Sequence, residues 1–206
     1  FHVCSDHVAF DMVARGMSAW SHFQKAGLMI GDEAYAGARS FLRLESAVRD
    51  VLGIEHLVPT HNGIGSEKLL TATMIRPGQT VFHNRGRCEG LVLANKGKSV
   101  DVSVKEAARF GEPQRFGGNI DLAKLERLLK KPGKNGVAYV QIDTCPDGWN
   151  GQPVSMANIG AVKELAATCS VPLVIDISDV LENAYWIRKV ESPKQGILDI
   201  ARRIIQ

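Results

Sequence analysis

Long apolar runs and clustered cysteines are both missing from the sequence. No apolar run approaches the about 20 residues that a membrane-spanning helix requires, and the first residues lack the basic start and long apolar core of a signal peptide. The four cysteines (Cys4, Cys88, Cys145 and Cys169) are far apart and form no CxxC pair. This spacing argues against a zinc site and a disulfide scaffold. We therefore expect a protein of a reducing, cytoplasmic compartment with no membrane partner.

The sequence also lacks a strong excess of charge of one sign. Its formal net charge is only +3, and the basic residues are scattered over the chain. Arg85 and Arg87 lie near Lys96 and Lys98, but a solvated loop explains this grouping better than contacts with a phosphate backbone. No nucleic-acid partner is expected. With 206 residues, 45% of them hydrophobic and 23% charged, the composition is that of an ordinary soluble domain.

Helical and strand patterns alternate from about residue 38 onward. The spacing of apolar residues predicts helices over 41–52, from Ser66 to the turn at Pro77, between Asn119 and Pro132, and from Ser155 through 165. Short continuous apolar runs predict strands at 80–82, 99–102, 137–142 and 172–176. Such strands, separated by helices, indicate an α/β fold with a mostly parallel sheet that helices cover on both faces.

Ligands of such sheets gather at the carboxyl ends of the strands. Asp176 closes the last predicted strand. An acid in this position is unfavourable unless a cationic group meets it, and the protonated pyridine nitrogen of pyridoxal 5′-phosphate (PLP) is one such group. The alternative is an aspartate that caps the next helix through backbone N–H groups. The spacing favours neither interpretation.

Three further positions have a chemical and a structural interpretation. Asn62 and Gly63 form a turn before a helix, where free N–H groups suit an anion such as phosphate, although an ordinary strand-to-helix turn is favoured. Tyr35, between small residues, could act as a general acid, although a packed tyrosine of a core or interface is favoured. Glu33 could coordinate a cation through oxygen, or simply face water.

Four islands of sequence carry a family resemblance: residues 31–37 (GDEAYAG), 59–61 (PTH), 151–158 (GQPVSMAN) and 182–185 (ENAY). Together they resemble the β-eliminating aromatic amino-acid lyases, the family of tryptophanase and tyrosine phenol-lyase, over almost the whole chain. The resemblance implies a PLP-dependent transferase large domain of the aspartate-aminotransferase type. It also implies PLP, a monovalent cation such as potassium, an amino-acid substrate, and a homo-oligomer, dimer or tetramer, with active sites at a subunit interface.

The resemblance assigns roles to individual residues. Asp176 matches the aspartate that pairs with the pyridine nitrogen, and Tyr35 matches the tyrosine that protonates the leaving aromatic ring. Glu33 and Gly16 match residues of the cation site. Asn62–Gly63 falls in the phosphate-binding turn.

Four positions around the implied cofactor depart from the family pattern. Ile64 replaces the arginine of the phosphate-binding turn, and Arg87 replaces the aromatic residue that stacks on the pyridine ring. Asp147 replaces an asparagine that touches the ring oxygen of the cofactor, and Asp179 replaces an arginine. The resemblance therefore places these positions near PLP, with changed chemistry.

The lysine that would form the Schiff base is also missing. After Asp176 only Lys189 and Lys194 remain, and both stand in the wrong context. The chain begins at Phe1 and ends in a helix-like stretch, so we expect a piece of a larger polypeptide or a gene remnant. The predicted organisation is an N-terminal segment at an interface (1–30) and a partial PLP-binding large domain (31–206), without the lysine-bearing C-terminal part and the small domain.

Three functions are compatible with this sequence. The first is a fragment of a PLP-dependent lyase that performs β-elimination on an aromatic or related amino acid. The second is a catalytically inactive homologue kept as an oligomerisation or interaction scaffold. The third is a PLP enzyme with altered chemistry and a rebuilt pocket.

Overall fold

The protein is described from a computed structural model that covers residues 21–32, 37–86, 89–105, 115–131, 133, 136–146, 148 and 151–206. The chain divides into two units, residues 1–47 and 48–206. Within the covered ranges, no helix has the length and apolar character needed to cross a membrane. The predicted role of residues 1–30 as an interface segment stays a prediction.

In the smaller unit, Asp32 of the GDEAYAG run hydrogen-bonds to residues at the start of the following helix. Helix α1 (His22–Met29) begins with a capping box in which Ser21 and Gln24 each accept a hydrogen bond from the other's backbone N–H. Asp32, from the GDEAYAG run, accepts bonds from the N–H groups of Arg39 and Ser40 at 3.0 and 2.9 Å and from the Ser40 hydroxyl. The bond from that hydroxyl, followed by those from the backbone, holds the pKa of Asp32 well below its ordinary value. Asp32 therefore anchors the start of helix α2 (Arg39–Leu52).

The larger unit alternates helices and strands, as the sequence predicts. Its helices are α3 (Gly63–Met74), α4 (Gly90–Ala94), α5 (Leu122–Lys130), α6 (Met156–Thr168), α7 (Val180–Val190) and α8 (Ile197–Ile205). Its strands are β1 (Thr80–His83), β2 (Lys98–Asp101), β3 (Val137–Asp143) and β4 (Leu173–Asp176). The predicted cap of α6 at Ser155 is confirmed. The predicted start of α3 at Ser66 is wrong, because Asn62 accepts a bond from Gly65 N–H at 2.8 Å and opens the helix earlier.

The strands form one sheet in the order β2-β1-β3-β4, and all three neighbouring pairs are parallel. Helices cover both faces. On one face Phe82, Val140 and Ile142 pack with side chains of α5 to α8, and on the other Val81 and Tyr139 pack with α3 and α4. Burial of each such side chain contributes about 1.5–3 kcal/mol of transfer free energy, so the two cores hold the sheet in place. The predicted parallel α/β architecture is confirmed.

Three buried asparagines fasten the loops around this sheet. Each side-chain amide accepts from the N–H and donates to the C=O of a single distant residue, as a neighbouring strand would. The pairs are Asn84 with Asp143, Asn158 with Ile120, and Asn183 with Val154, at 2.7 to 3.1 Å. We call these contacts the asparagine clamps. The first joins the end of β1 to the end of β3 and thereby shapes the edge of the sheet where the strands end.

Candidate functional site

All four strands end in polar residues at one edge of the sheet. His83 of β1 lies opposite Asp101 of β2, and Asp143 of β3 lies opposite Asp176 of β4. Because the strands are parallel, these four carboxyl ends share one edge, where ligands of open α/β sheets bind. The edge therefore has the position of a ligand site and carries several acids.

Arg85, two residues beyond β1, brings a guanidinium group to this edge. Its Nη1 donates to Glu67 at 2.8 Å and to Glu89 at 3.2 Å, its Nε donates to Asp143 at 3.2 Å, and its Nη2 donates to Asp176 at 3.4 Å. We call these five residues the Arg85 cluster. When all its groups are ionised, one positive charge faces four negative ones. Among the described residues, this cluster then carries three more negative charges than positive ones.

The surroundings of Arg85 keep it charged. Burial alone would lower the pKa of the guanidinium, but the hydrogen bond with Glu67 and the charges of Glu89, Glu67 and Asp143 outweigh burial and raise it. The Arg85 side chain is only 11% exposed, so water screens these contacts weakly. Arg85 is therefore a permanent cation at the centre of the edge.

The backbone of Arg85 is held as firmly as its side chain. The preceding Asn84 is clamped to Asp143, and the N–H of Arg85 donates to His83 Nδ1 at 3.2 Å. A Cβ at Gly148 would lie 2.0 Å from the Arg85 carbonyl oxygen, so only glycine allows this close approach. The guanidinium thus starts from a fixed point on the edge.

His83 and Ser99 form a second polar contact at this edge, with 2.7 Å between Nε2 and Oγ. Burial lowers the pKa of His83 to about 4, so the ring is neutral near pH 7. Since Nδ1 accepts from the N–H of Arg85, the single ring proton is on Nε2 and is donated to Ser99. A ring that donates to a hydroxyl cannot take its proton, so the pair is a structural contact rather than an activated nucleophile.

Asp176 has a cationic partner, and it does not cap the next helix. Its Oδ1 accepts from the N–H and hydroxyl of Ser178 at 3.0 and 2.6 Å, while Asp179 occupies the N-cap position of α7. The capping interpretation is therefore wrong. The partner is Arg85, which also means that the interpretation of Arg85 as part of a solvated loop is wrong.

The Asn62–Gly63 turn lies at the exposed start of α3. Asn62 uses its side chain to cap the N–H of Gly65, and the Thr60 and Ser66 hydroxyls are 2.6 Å apart beside it. Apart from the adjacent residues and the backbone of its own helix, no atom lies within 4 Å of the place that a Cβ on Gly63 would take, so the turn is open to solvent. Its role in phosphate binding stays a prediction.

Five other predicted site residues lie outside the described residues, and their roles stay predictions: Gly16, Glu33, Tyr35, Arg87 and Asp147. In the part of the chain that is described, no group of three or more His, Cys, Asp or Glu residues is arranged to hold a metal ion. The monovalent cation site therefore also stays a prediction.

Sequence reasoning missed most of the Arg85 cluster. Arg85 and Asp143 stand at strand ends just as Asp176 does, so the rule that singled out Asp176 could have found both. Glu67 lies inside α3 and Glu89 at the start of α4, where charged residues usually face water. No local signal marks these two glutamates as members of a site.

The described residues do not fit PLP as they stand. One oxygen of Asp176 is bonded to Ser178 and the other to Arg85, where the pyridine nitrogen would have to donate. The three negative charges in excess within the Arg85 cluster would also repel the phosphate group of the cofactor. A ring held through Asp176 would have to share this carboxylate with Arg85 or displace the guanidinium from it.

Two solved structures share this fold. The PLP-bound C-S lyase from Staphylococcus hominis in its external aldimine form matches with a TM-score of 0.53 at 12% identity, over 75% of this chain and 39% of that one. The SepCysS–SepCysE N-terminal domain complex matches with a TM-score of 0.59 at 11% identity, over 80% and 44%. At such low identity the likeness shows the fold alone. It agrees with the predicted α/β fold, in which helices cover both faces of a mostly parallel sheet.

Curated relatives match the sequence over nearly its whole length. Tyrosine phenol-lyase of Clostridium tetani is 40% identical over 204 residues, which are 98% of this chain and 44% of the relative. A probable tryptophanase of Aeropyrum pernix is 39% identical over an alignment of 215 positions, gaps included, that covers 100% of this chain and 45% of the relative. The chain thus spans less than half the length of these relatives. The model of the beta-eliminating lyase family matches residues 8–204, and the chain belongs to that family.

Proposed function

We propose that this chain is part of a PLP-dependent lyase that catalyses β-elimination on an aromatic or closely related amino acid. The match to the beta-eliminating lyase family over residues 8–204 carries the proposal. Relatives named tyrosine phenol-lyase and probable tryptophanase support an aromatic substrate. Because the chain spans 44% and 45% of those relatives, the lysine that binds the cofactor would come from sequence beyond the matched part.

Among the proposed cofactor residues that are described, Asp176 ends a strand of the sheet. Asp176 at the end of β4 would meet the pyridine nitrogen. Glu67 lies one turn into α3 and contacts Arg85, so the first turns of α3 reach the same edge. This placement supports a phosphate-binding role for Asn62–Gly63 at the start of that helix. Arg87 and Asp147 would lie near the ring.

Other parts of the proposal concern residues outside the described ranges. Tyr35 would donate a proton to the leaving aromatic group, and Gly16 and Glu33 would help to hold a monovalent cation such as potassium. The working form would be a cytoplasmic homo-oligomer, dimer or tetramer, that acts on a small-molecule amino-acid substrate. These assignments are supported by the family resemblance of the residues themselves.

A specific observation favours a second candidate function, that of an inactive homologue kept as an oligomerisation or interaction scaffold. Asp176, the proposed partner of the ring nitrogen of PLP, already forms an ion pair with Arg85. A working PLP site would instead leave this carboxylate to the ring nitrogen.

The two candidates are separated by one experiment on the purified protein. The chain is incubated with PLP, potassium and L-tyrosine or L-tryptophan, and the release of α-keto acid and ammonium is measured, since β-elimination of an amino acid yields both. Borohydride reduction and peptide mapping then identify any lysine that binds the cofactor. The same assay is applied to a longer polypeptide that contains the chain.

Product release that is lost in Asp176→Asn, with the cofactor trapped on one lysine, supports the lyase. A well-folded polypeptide that extends to the full length of the relatives, yet releases no keto acid at saturating PLP, would refute it in favour of the scaffold. Labelling scattered over surface lysines counts as absence of a specific site.

A further inference from the structure

We propose that Arg85 competes with PLP for Asp176, so that this edge of the sheet binds the cofactor weakly as long as the guanidinium stays in the Arg85 cluster. The inference rests on the proposed function for the identity of the competing ligand. Arg85 would act as an internal counter-ion, because its guanidinium occupies the place beside Asp176 that the cationic ring nitrogen of PLP would take.

The first step is that Arg85 has little freedom to leave. Its backbone is fixed by the clamp of Asn84 on Asp143, by its own bond to His83, and by the close approach of Gly148. The residue as a whole is only 9% exposed. Because the backbone is fixed and the residue is buried, the guanidinium stays at the edge of the sheet and does not extend into solvent.

The second step is that Arg85 does more at the edge than a pyridine nitrogen could. All three guanidinium nitrogens are used, on carboxylates that come from α3, the start of α4, β3 and β4. A pyridine nitrogen donates one bond, to one carboxylate. Exchanging Arg85 for the ring would satisfy Asp176 but would deprive Glu67, Glu89 and Asp143 of the guanidinium.

The third step follows from this unequal exchange. Binding of the cofactor at Asp176 has to break the bond from Arg85 Nη2, and it breaks the other charge-assisted hydrogen bonds of Arg85 as well when the ring displaces the whole guanidinium. The free-energy cost of that exchange makes the binding free energy of PLP less favourable. Each 1.4 kcal/mol of cost corresponds to about a tenfold weaker affinity. Removing Arg85 should therefore tighten binding of the ring, provided that the charges of Glu67 and Glu89 are removed with it.

The test compares two matched variants of the chain. Arg85→Gln alone would remove the guanidinium that four neighbouring acids share and endanger folding, so the reference variant is Glu67→Gln with Glu89→Gln, which keeps Arg85. The second variant adds Arg85→Gln to these two. The probe is pyridoxine 5′-phosphate, which has the ring and phosphate of PLP but no aldehyde, so binding needs no lysine. Dissociation constants come from quenching of tryptophan fluorescence, and circular dichroism checks that both variants are folded.

We expect the variant without Arg85 to bind the probe at least about tenfold more tightly than the reference variant. Adding Asp176→Asn should abolish this gain, because the ring nitrogen then loses its partner. Equal dissociation constants, or saturable binding in neither variant, would overturn the inference, as would a gain that survives Asp176→Asn. The proposed function fails on a different result, the absence of product from a full-length polypeptide, so the two failures are distinguishable.

Discussion

Replacing Asn183 by leucine should lower the free energy of unfolding by about 2–5 kcal/mol. Asn183 is completely buried, and its amide accepts from Val154 N–H at 2.7 Å and donates to Val154 C=O at 3.1 Å. Leucine has a similar volume and preserves the packing, but it leaves both backbone groups of the buried Val154 without their partner. Each such group costs about 1–3 kcal/mol, and the added apolar surface of leucine offsets only part of that loss.

The assay is urea unfolding followed by far-UV circular dichroism, with the free energy extrapolated to water. Glu182→Gln is the matched control, because it lies next to Asn183 on α7 but is exposed, and it should change the free energy by less than about 0.5 kcal/mol. A loss below about 1 kcal/mol for Asn183→Leu, or an equal loss in the control, would contradict the role assigned to the asparagine clamps.

Three further predictions concern the edge of the sheet and its surroundings. Gly148→Ala should destabilise the chain by about 1–3 kcal/mol in the same assay, because its Cβ would lie 2.0 Å from the Arg85 carbonyl oxygen, whereas Gly160→Ala, in open space on α6, should be neutral or stabilising. Stability should fall as the pH drops from 6.5 towards 4, because burial lowers the pKa of His83 from 6.5 to about 4 and only the unfolded chain binds the proton in that window. Unfolding at stepped pH values tests this, and a slope unchanged in His83→Gln would contradict it. Burial raises the pKa of the Cys145 thiol to about 12, so iodoacetamide at pH 8 should label Cys145 only after unfolding, as mass spectrometry of native and urea-treated samples would show.

The features of the fold that depend on short stretches of sequence were predictable. The apolar runs at 137–142 and 172–176 indicate strands because strands buried on both faces need no polar alternation, and β3 and β4 lie within one residue of those limits. Ser155 caps α6 as predicted, since a serine before an apolar helical pattern satisfies its free N–H groups. The start of α3 was missed because Asn62, read as part of a ligand turn, is itself the cap.

The site was much less predictable, because its contacts join distant parts of the chain. Asp176 is visible locally as a carboxylate that ends a buried strand, but its spacing is equally compatible with a cationic partner and with a helix cap. Its partner Arg85 lies 91 positions away, and Glu67 and Asp143 lie 18 and 58 positions from Arg85. Local sequence shows only an arginine near other basic residues, which is typical of a solvated loop. The partner depends on the order of the strands, which no single segment encodes.

The asparagine clamps change what family resemblance can tell about this chain. Asn158 stands in the GQPVSMAN run and Asn183 in the ENAY run. Both side chains form hydrogen bonds with the backbone of distant residues. Asp32 of the GDEAYAG run likewise anchors the start of a helix. Selection for the scaffold alone would preserve such residues. A sequence can therefore keep the signature of a lyase family after its catalytic groups have changed. Similarity at these runs is evidence of a shared fold rather than of a shared reaction.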